Sequence, residues 1–380
     1  MIMPIAIGIA ILIMLNGIRI ANIKGEAEMK KLILICLFLL LSGCVDKEII
    51  DDINIEVGVG YDLAEDEKDK FRGTVLFQEF QPDQSVINRT FSGNGKLGQD
   101  VRLDVSKQTS EPVVTGGLKL AIFGPEISKK GIFDLIDSFQ RDASMGARVF
   151  VATAEGKSEE LLNGDYGTRG NATYISNLIQ HNIEHRDIPI TNLHIFSRDY
   201  YQDGKDPFLP RLKKAGNDKV KITGISLFQK DKEVAILPVK DMFFFKLLVD
   251  KYSEGNFDVK LKKEAYAAVK SIKSKNKTRV TNNHAAITIN LEGIIDEYTG
   301  DILTPQIVGE VEKKLEKKIE KECLRLLLQF QDLGIDPVGL GQKKKNRNRN
   351  FDFKKWEDDY KMLSFDVKCN VVIEETGVLE

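Results

Sequence analysis

Two kinds of spacing alternate along the chain. "INIEVGVGYD" and "FRGTVLFQEF" each place apolar side chains at every second position, with an acidic turn between them, which predicts a β-hairpin. "SVINRTFSG" extends this to a third strand. Leu97, Val101 and Val105 then recur four apart, the spacing of one helix face. "GLKLAIFG" reads as a buried strand. "PEISKKGIFDLIDSFQRD" reads as a helix turning Ile127, Ile132, Leu135, Ile136 and Phe139 inward, and "ARVFVATAEG" as the next strand. Strand, helix and strand in this order predict a βαβ-like unit inside a mixed sheet.

Further on, "NATYISNLIQHNIEH" is helical by the same criterion, and "TNLHIFSRDYY" reads as a short helix opened by Thr191. The glycines and prolines of "DGKDPFLPRLKKAGNDK" predict a connector without regular structure. "VKITGISLFQKDKEVAILP" predicts two strands about a polar turn, followed by an apolar helix, "DMFFFKLLVD". "NFDVKLKKEAYAAVKSIKSKNKTRV" is ambiguous: propensity around "KKEAYAAVKSI" favours helix, while position between strands favours sheet. "HAAITINLEGIIDEY" and "MLSFDVKCNVVIEE" are strands. Between them lies the clearest helix, capped by Thr304 with Pro305 in its first turn and striped by Val311, Leu315, Ile319, Cys323, Leu326 and Phe330. The reading is α+β, with mixed, largely antiparallel sheets flanked by helices. It has three domains, at 44–212, 213–275 and 276–380, and no internal repeat.

The 43 residues before the first of these domains carry two apolar runs of another kind. Lys30 and Lys31 precede the apolar stretch Leu32 to Leu41, which is long enough for a secretory signal and short for a membrane span. "LSGC" follows and has the shape of a bacterial lipobox. Its small residues enter the peptidase cleft, and the Cys44 thiol accepts the diacylglyceryl group and becomes the new N-terminus. Cys44 is therefore the expected lipid attachment site. The earlier run, Ile2 to Leu15, falls short of the ~20 residues a spanning helix needs. Met29 with its lysines would open a complete signal peptide by itself, so initiation at Met29 is favoured over Met1.

Composition changes this picture little. The 380 residues are 42% hydrophobic and 29% charged, ordinary for a globular protein, and a formal charge of −2 gives no general field for nucleic acid. Four cysteines are too scattered for a disulfide framework, and Cys323 and Cys369 read as buried thiols. "HNIEH" matches an inverted zinc-peptidase signature. His181 and His185 share a helix face, Glu184 could serve as base, and Glu233, Glu254 or Glu264 could supply a third ligand. Two histidines at the polar end of an amphipathic helix need no metal, and none is expected. "GNGKLG" (Gly93, Gly95, Gly98) follows a polar run, so a strand-to-helix turn explains it better than a dinucleotide site. "QKKKNRNRNFDFKK" reads as a basic loop, solvated or turned to anionic headgroups or an acidic partner. Phe208 and Leu209, apolar in the connector, must be covered by a partner or by packing between domains. No serine triad, nucleophile elbow or P-loop is visible, and no cofactor is implied.

Several segments in order along the chain resemble the Ger(x)C family, lipoprotein C subunits of spore germination nutrient receptors. They are "LSGCVDKEIIDD", with Val45 where tryptophan is usual, "GLKLAIFGPEISKKGIFDLIDSFQRD", "DGKDPFLPRL", "ITGISLFQKDKEV", "DPVGLG" and "WEDDYKMLSFDVKCNVVIEETG". The resemblance implies a three-domain α+β lipoprotein on the outer face of the spore inner membrane. It would act without catalysis beside two integral membrane subunits. Two alternatives stand beside it: a tethered solute-binding protein acting alone, and a zinc hydrolase using His181, Glu184 and His185.

Overall fold

The computed structural model describes residues 53–65, 70–82, 85–146, 148–250, 255–261, 265–281, 283–348 and 351–376. Cys44, the lipobox and both N-terminal apolar runs lie outside these residues. Ile53–Glu380 forms one compact unit.

Its first part is a mixed sheet. Strands β1 (Asn54–Leu63), β2 (Phe71–Phe80) and β3 (Val86–Gly95) form an antiparallel meander. The Gly93–Gly98 segment then turns into helix α1 (Gly98–Ser106), the strand-to-helix turn its glycines predicted. The two-residue β4 (Val113–Val114) and β5 (Leu120–Phe123) both pair with β1 in parallel. Helices α2 (Pro125–Lys130) and α3 (Phe133–Arg141) cross over to the parallel β6 (Phe150–Ala154), which is the predicted βαβ unit. Three helices follow: α4 (Ser158–Leu162), α5 (Asn171–His185) and α6 (Leu193–Tyr201). Then β7 (Phe208–Lys214) joins β6 in parallel, and β8 (Val220–Gln229) and β9 (Lys232–Pro238) close the sheet antiparallel.

The second part is a four-stranded sheet, β10 (Gly255–Lys260), β11 (Tyr266–Val280), β12 (His284–Tyr298) and β13 (Ser364–Thr376), with β12 and β13 parallel. Helix α7 (Val239–Val249) precedes it. The long α8 (Pro305–Asp332), α9 (Leu340–Lys345) and α10 (Phe353–Lys361) lie between β12 and β13 in sequence. The expected domain limit after residue 212 falls within β7, and the one after 275 within β11.

Alternation along single strands builds the layers. On β5, Ala121 and Phe123 face one core with Tyr61, Ile136, Phe139 and Phe196; Leu120 and Ile122 face another with Ala152, Ile175 and Ile179. A third core joins α7 and α8 to the second sheet and takes in Phe208, Ile225 and Leu227 from the first. All residues of the three clusters lie between Ile55 and Ile373.

Two sequence expectations fail here. The middle of the connector, Phe208–Lys214, is in fact a strand, because its prolines avoid the ladder. The Phe208 carbonyl turns away from β8 to accept the Thr191 hydroxyl at 3.1 Å. Pro210, two residues on, turns its nitrogen to the same side, before the pairing with β6 begins at Arg211. Thr191 is thereby used, and Asn192 caps α6 instead, accepting from the Ile195 amide at 2.8 Å. The ambiguous lysine-rich stretch is also extended, as β10 and β11.

A buried carboxyl group on the first sheet's β1 lacks a hydrogen-bond partner. Glu56, on β1, is fully buried and neither of its carboxylate oxygens makes a hydrogen bond. Burial pushes its pKa from 4.5 up to about 7, with Arg102 opposing. Between these values the folded chain holds a proton that the unfolded chain has released, so stability falls as pH rises through the window. Glu56→Gln removes this titration. Urea unfolding should show little difference between variant and parent at pH 4.5, and a variant more stable by about 3 kcal/mol at pH 8. A difference independent of pH would mean that Glu56 titrates in its ordinary range.

Candidate functional site

Three loops distant in sequence meet where the two sheets adjoin. The turn after α6 brings Gly204 against Gly341. A Cβ on Gly341 would lie 2.8 Å from the Gly204 Cα and 2.4 Å from Trp356 Nε1, and Gly204 has φ +79°. Only glycine permits both the backbone approach and that left-handed conformation. The Gln342 amide donates to the Gly204 carbonyl at 3.1 Å. Asp206 and Asp336 are then clasped together. The Asp206 amide donates to the Asp336 carbonyl at 3.0 Å, and Asp206 Oδ2 accepts from the Asp336 amide at 2.8 Å. Asp206 Oδ1 accepts from the Lys230 amide at 3.1 Å.

Charges around this clasp are buried and mostly matched. Asp199 is buried between Arg198 (2.7 Å) and Lys205 (2.8 Å). Asp336 accepts from the Gly341 amide at 2.8 Å through Oδ2, while its Oδ1 is buried without a partner. Burial, with Asp206 adding to it, lifts the Asp336 carboxyl to about 6, and burial lowers the Lys343 ammonium to about 8. Tyr360 donates its hydroxyl to the Ile335 carbonyl at 2.7 Å.

The expected basic loop is corrected at this point. Its lysines form α9, and two of them turn toward the protein. Lys343 Nζ donates to Thr278 Oγ1 at 3.3 Å; buried Lys344 pairs with Asp359 at 3.2 Å and lies 4.9 Å over the Trp356 ring. A cleft of about 410 Å³ opens beside the clasp, with Lys205, Asp206, Lys230, Asp336, Trp356 and Tyr360 in its walls. The chemistry available is proton exchange at buried carboxyls and rigid joining of three loops.

Comparison with known proteins places this junction. A family described as "Spore germination protein N-terminal domain" matches residues 46–214, and one described as "Spore germination B3/ GerAC like, C-terminal" matches residues 223–377. Spore germination protein GerQC of Bacillus cereus is 30% identical over 357 residues, which cover 90% of this chain and 99% of GerQC. The chain belongs to the Ger(x)C family of spore germination proteins. The crystal structure of the GerBC protein shares its fold, with a TM-score of 0.56 at 17% identity, over 87% of this chain and 100% of that one. Asp206 lies in the first Ger(x)C domain and Asp336 in the second, so the clasp ties one to the other. It unites "DGKDPFLPRL", "DPVGLG" and "WEDDYK", which carry part of the resemblance in the sequence.

The other expected site residues are dispersed. Phe208 and Leu209 are buried on opposite faces of β7: Phe208 packs edge-on against Phe245, with centroids 5.0 Å apart, and Leu209 enters the core with Phe196 and Phe228. His181, Glu184 and His185 lie exposed on α5, with the two imidazole rings 5.3 Å apart. Glu184 accepts from Gln180 at 2.9 Å. Glu233 is buried on β9 with Arg211 at 3.5 Å, and Glu254 and Glu264 lie outside the described residues. Among the described residues no three His, Cys, Asp or Glu side chains are grouped as a metal site. Cys323 and Cys369 are buried free thiols. The clasp escaped the sequence reading because its members are separated by 130 positions and follow no period. Glycines at 204, 339 and 341 beside lone aspartates were the one available signal.

Proposed function

We propose that this Ger(x)C protein is the lipid-anchored subunit of a spore germinant receptor. It is acylated at Cys44, held on the outer face of the spore inner membrane, and acts by assembling with integral membrane subunits to trigger germination. One observation carries the reading: the Ger(x)C match begins at residue 46, directly after the "LSGC" motif, where a mature lipoprotein would start. No helix of the described residues is long and apolar enough to cross a membrane. Two or three acyl chains, at about 0.8 kcal/mol per buried methylene, give a stable anchor. Confinement to a thin layer above the bilayer raises the effective concentration for neighbours there, so modest interfaces suffice.

A tethered solute-binding protein acting alone calls for an apolar cleft with a few convergent polar groups. More than half of the residues lining the 410 Å³ cleft are charged, which favours the receptor-subunit reading. Affinity capture of the tagged full chain from detergent-solubilised spore membranes tests it. Integral membrane proteins should co-purify in fixed proportion and survive washing. Recovery of the tagged chain alone, in detergents that keep other membrane complexes intact, would refute assembly.

A further inference from the structure

The second sheet is covered on one face only. Helices α7 and α8 pack against the inward side chains Val269, Ile287, Ile289, Leu291 and Val371. The opposite face is exposed, and its charge is uneven. Lys275, Lys277 and Arg279 stand outward at every second position of β11, about 7 Å apart. Across the sheet, the register aligns Lys277 with Thr288 and Thr288 with Lys368, which is also exposed. Between them lie short, neutral side chains, Ala286, Thr288, Asn290 and Asn370.

Three acidic groups lie toward the other end of this face: Asp258 and Glu297, on either side of Ala268, and exposed Glu374 on β13. Glu292 is taken by Lys273 at 3.0 Å, and Asp366 stands at the corner of the grid, opposite Ala286. Lys275, Lys277, Arg279 and Lys368 form no side-chain hydrogen bond or ion pair with described residues. Lysine is disfavoured in strands, and four long cations over a floor of small side chains add nothing to the core beneath. The arrangement is an array of accessible positive charge at one end of the sheet, in a chain whose formal net charge is −2.

We infer that this face docks on an anionic bilayer surface, through lipid phosphates, and sets the orientation of the tethered unit. Closely spaced cations on one exposed face match a negatively charged leaflet, and basic side chains near such a surface each strengthen binding about fivefold. The choice of a bilayer over another acidic surface rests on the lipid-anchored reading. The array itself does not.

The test uses the untethered Ile53–Glu380 unit, a single compact body spanned almost throughout by the two Ger(x)C domains, so the state of Cys44 does not enter. Sedimentation with vesicles of phosphatidylcholine alone should recover little protein. Vesicles with one third phosphatidylglycerol should bind it at low salt and release it at high salt. Lys275→Gln with Lys277→Gln and Arg279→Gln should weaken that binding by about a hundredfold and leave the melting temperature in place. The Glu versions should abolish it. Lys96→Glu with Lys129→Glu and Lys130→Glu, exposed on the first part of the unit, should reduce it far less. Four results would overturn the proposal: no binding to anionic vesicles at low salt; undiminished binding by the β11 variants; equal loss in the Lys96 set; or capture by immobilised polyglutamate without binding to vesicles, which would assign the face to an acidic protein. If the unit binds as expected while Cys44 proves unmodified, the docking face stands and the anchor falls.

Discussion

Phe208→Ser together with Leu209→Ser is expected to leave no folded protein. Their strand, β7, is hydrogen-bonded on both sides, to β6 and β8. Phe208 is 3% exposed and Leu209 0%, and they enter different cores. Truncating a buried phenylalanine costs about 3–5 kcal/mol and a buried leucine about 2–5. Each serine also leaves a hydroxyl without a partner, at about 1–3 kcal/mol. The sum approaches or exceeds the 5–15 kcal/mol that typically holds a domain together. Leu209→Ala alone should fold and lose about 2–5 kcal/mol in urea unfolding. If the double variant instead melts within a few degrees of the parent, these side chains are not core in solution, and a partner surface on this segment regains its case.

Cys44→Ala carries the second large effect. The thiol is the proposed attachment point for lipid, so labelling with radioactive fatty acid should vanish completely. Membrane retention should fall with it, because the thiol is the only attachment point proposed. Germination through the proposed receptor should fail at normal expression, since the unit would lose the proximity that makes weak contacts effective. A variant with unchanged labelling would place the lipid elsewhere, and a parent chain that takes up no label would deny it.

How far the sequence speaks depends on how local each feature is. Helix α8 was readable in full: Thr304 accepts from the Ile307 amide at 3.4 Å, Pro305 occupies the first turn, and all six residues of the stripe are buried. β11 was obscured because its inward positions include Ala267, Ser271, Ser274 and Thr278, too small or polar to reveal a period of two, while its outward lysines resemble a helix surface. Prolines hid β7, since a missing amide is tolerable only on the side a strand leaves unpaired, and that side is fixed by tertiary structure. The basic run at 343–345 looked solvated because no local signal announces that Asp359, Trp356 and Thr278 will meet it. The clasp of Asp206 and Asp336 was illegible for the same reason.

Anchoring and assembly as proposed depend most on Cys44 as the mature, acylated N-terminus. Mass spectrometry of the N-terminal peptide from protein isolated from spores measures this directly. The predicted result is a chain beginning at Cys44 with a diacylglyceryl group on its sulfur. A mature chain that starts elsewhere, or at Cys44 with a free thiol, would contradict it.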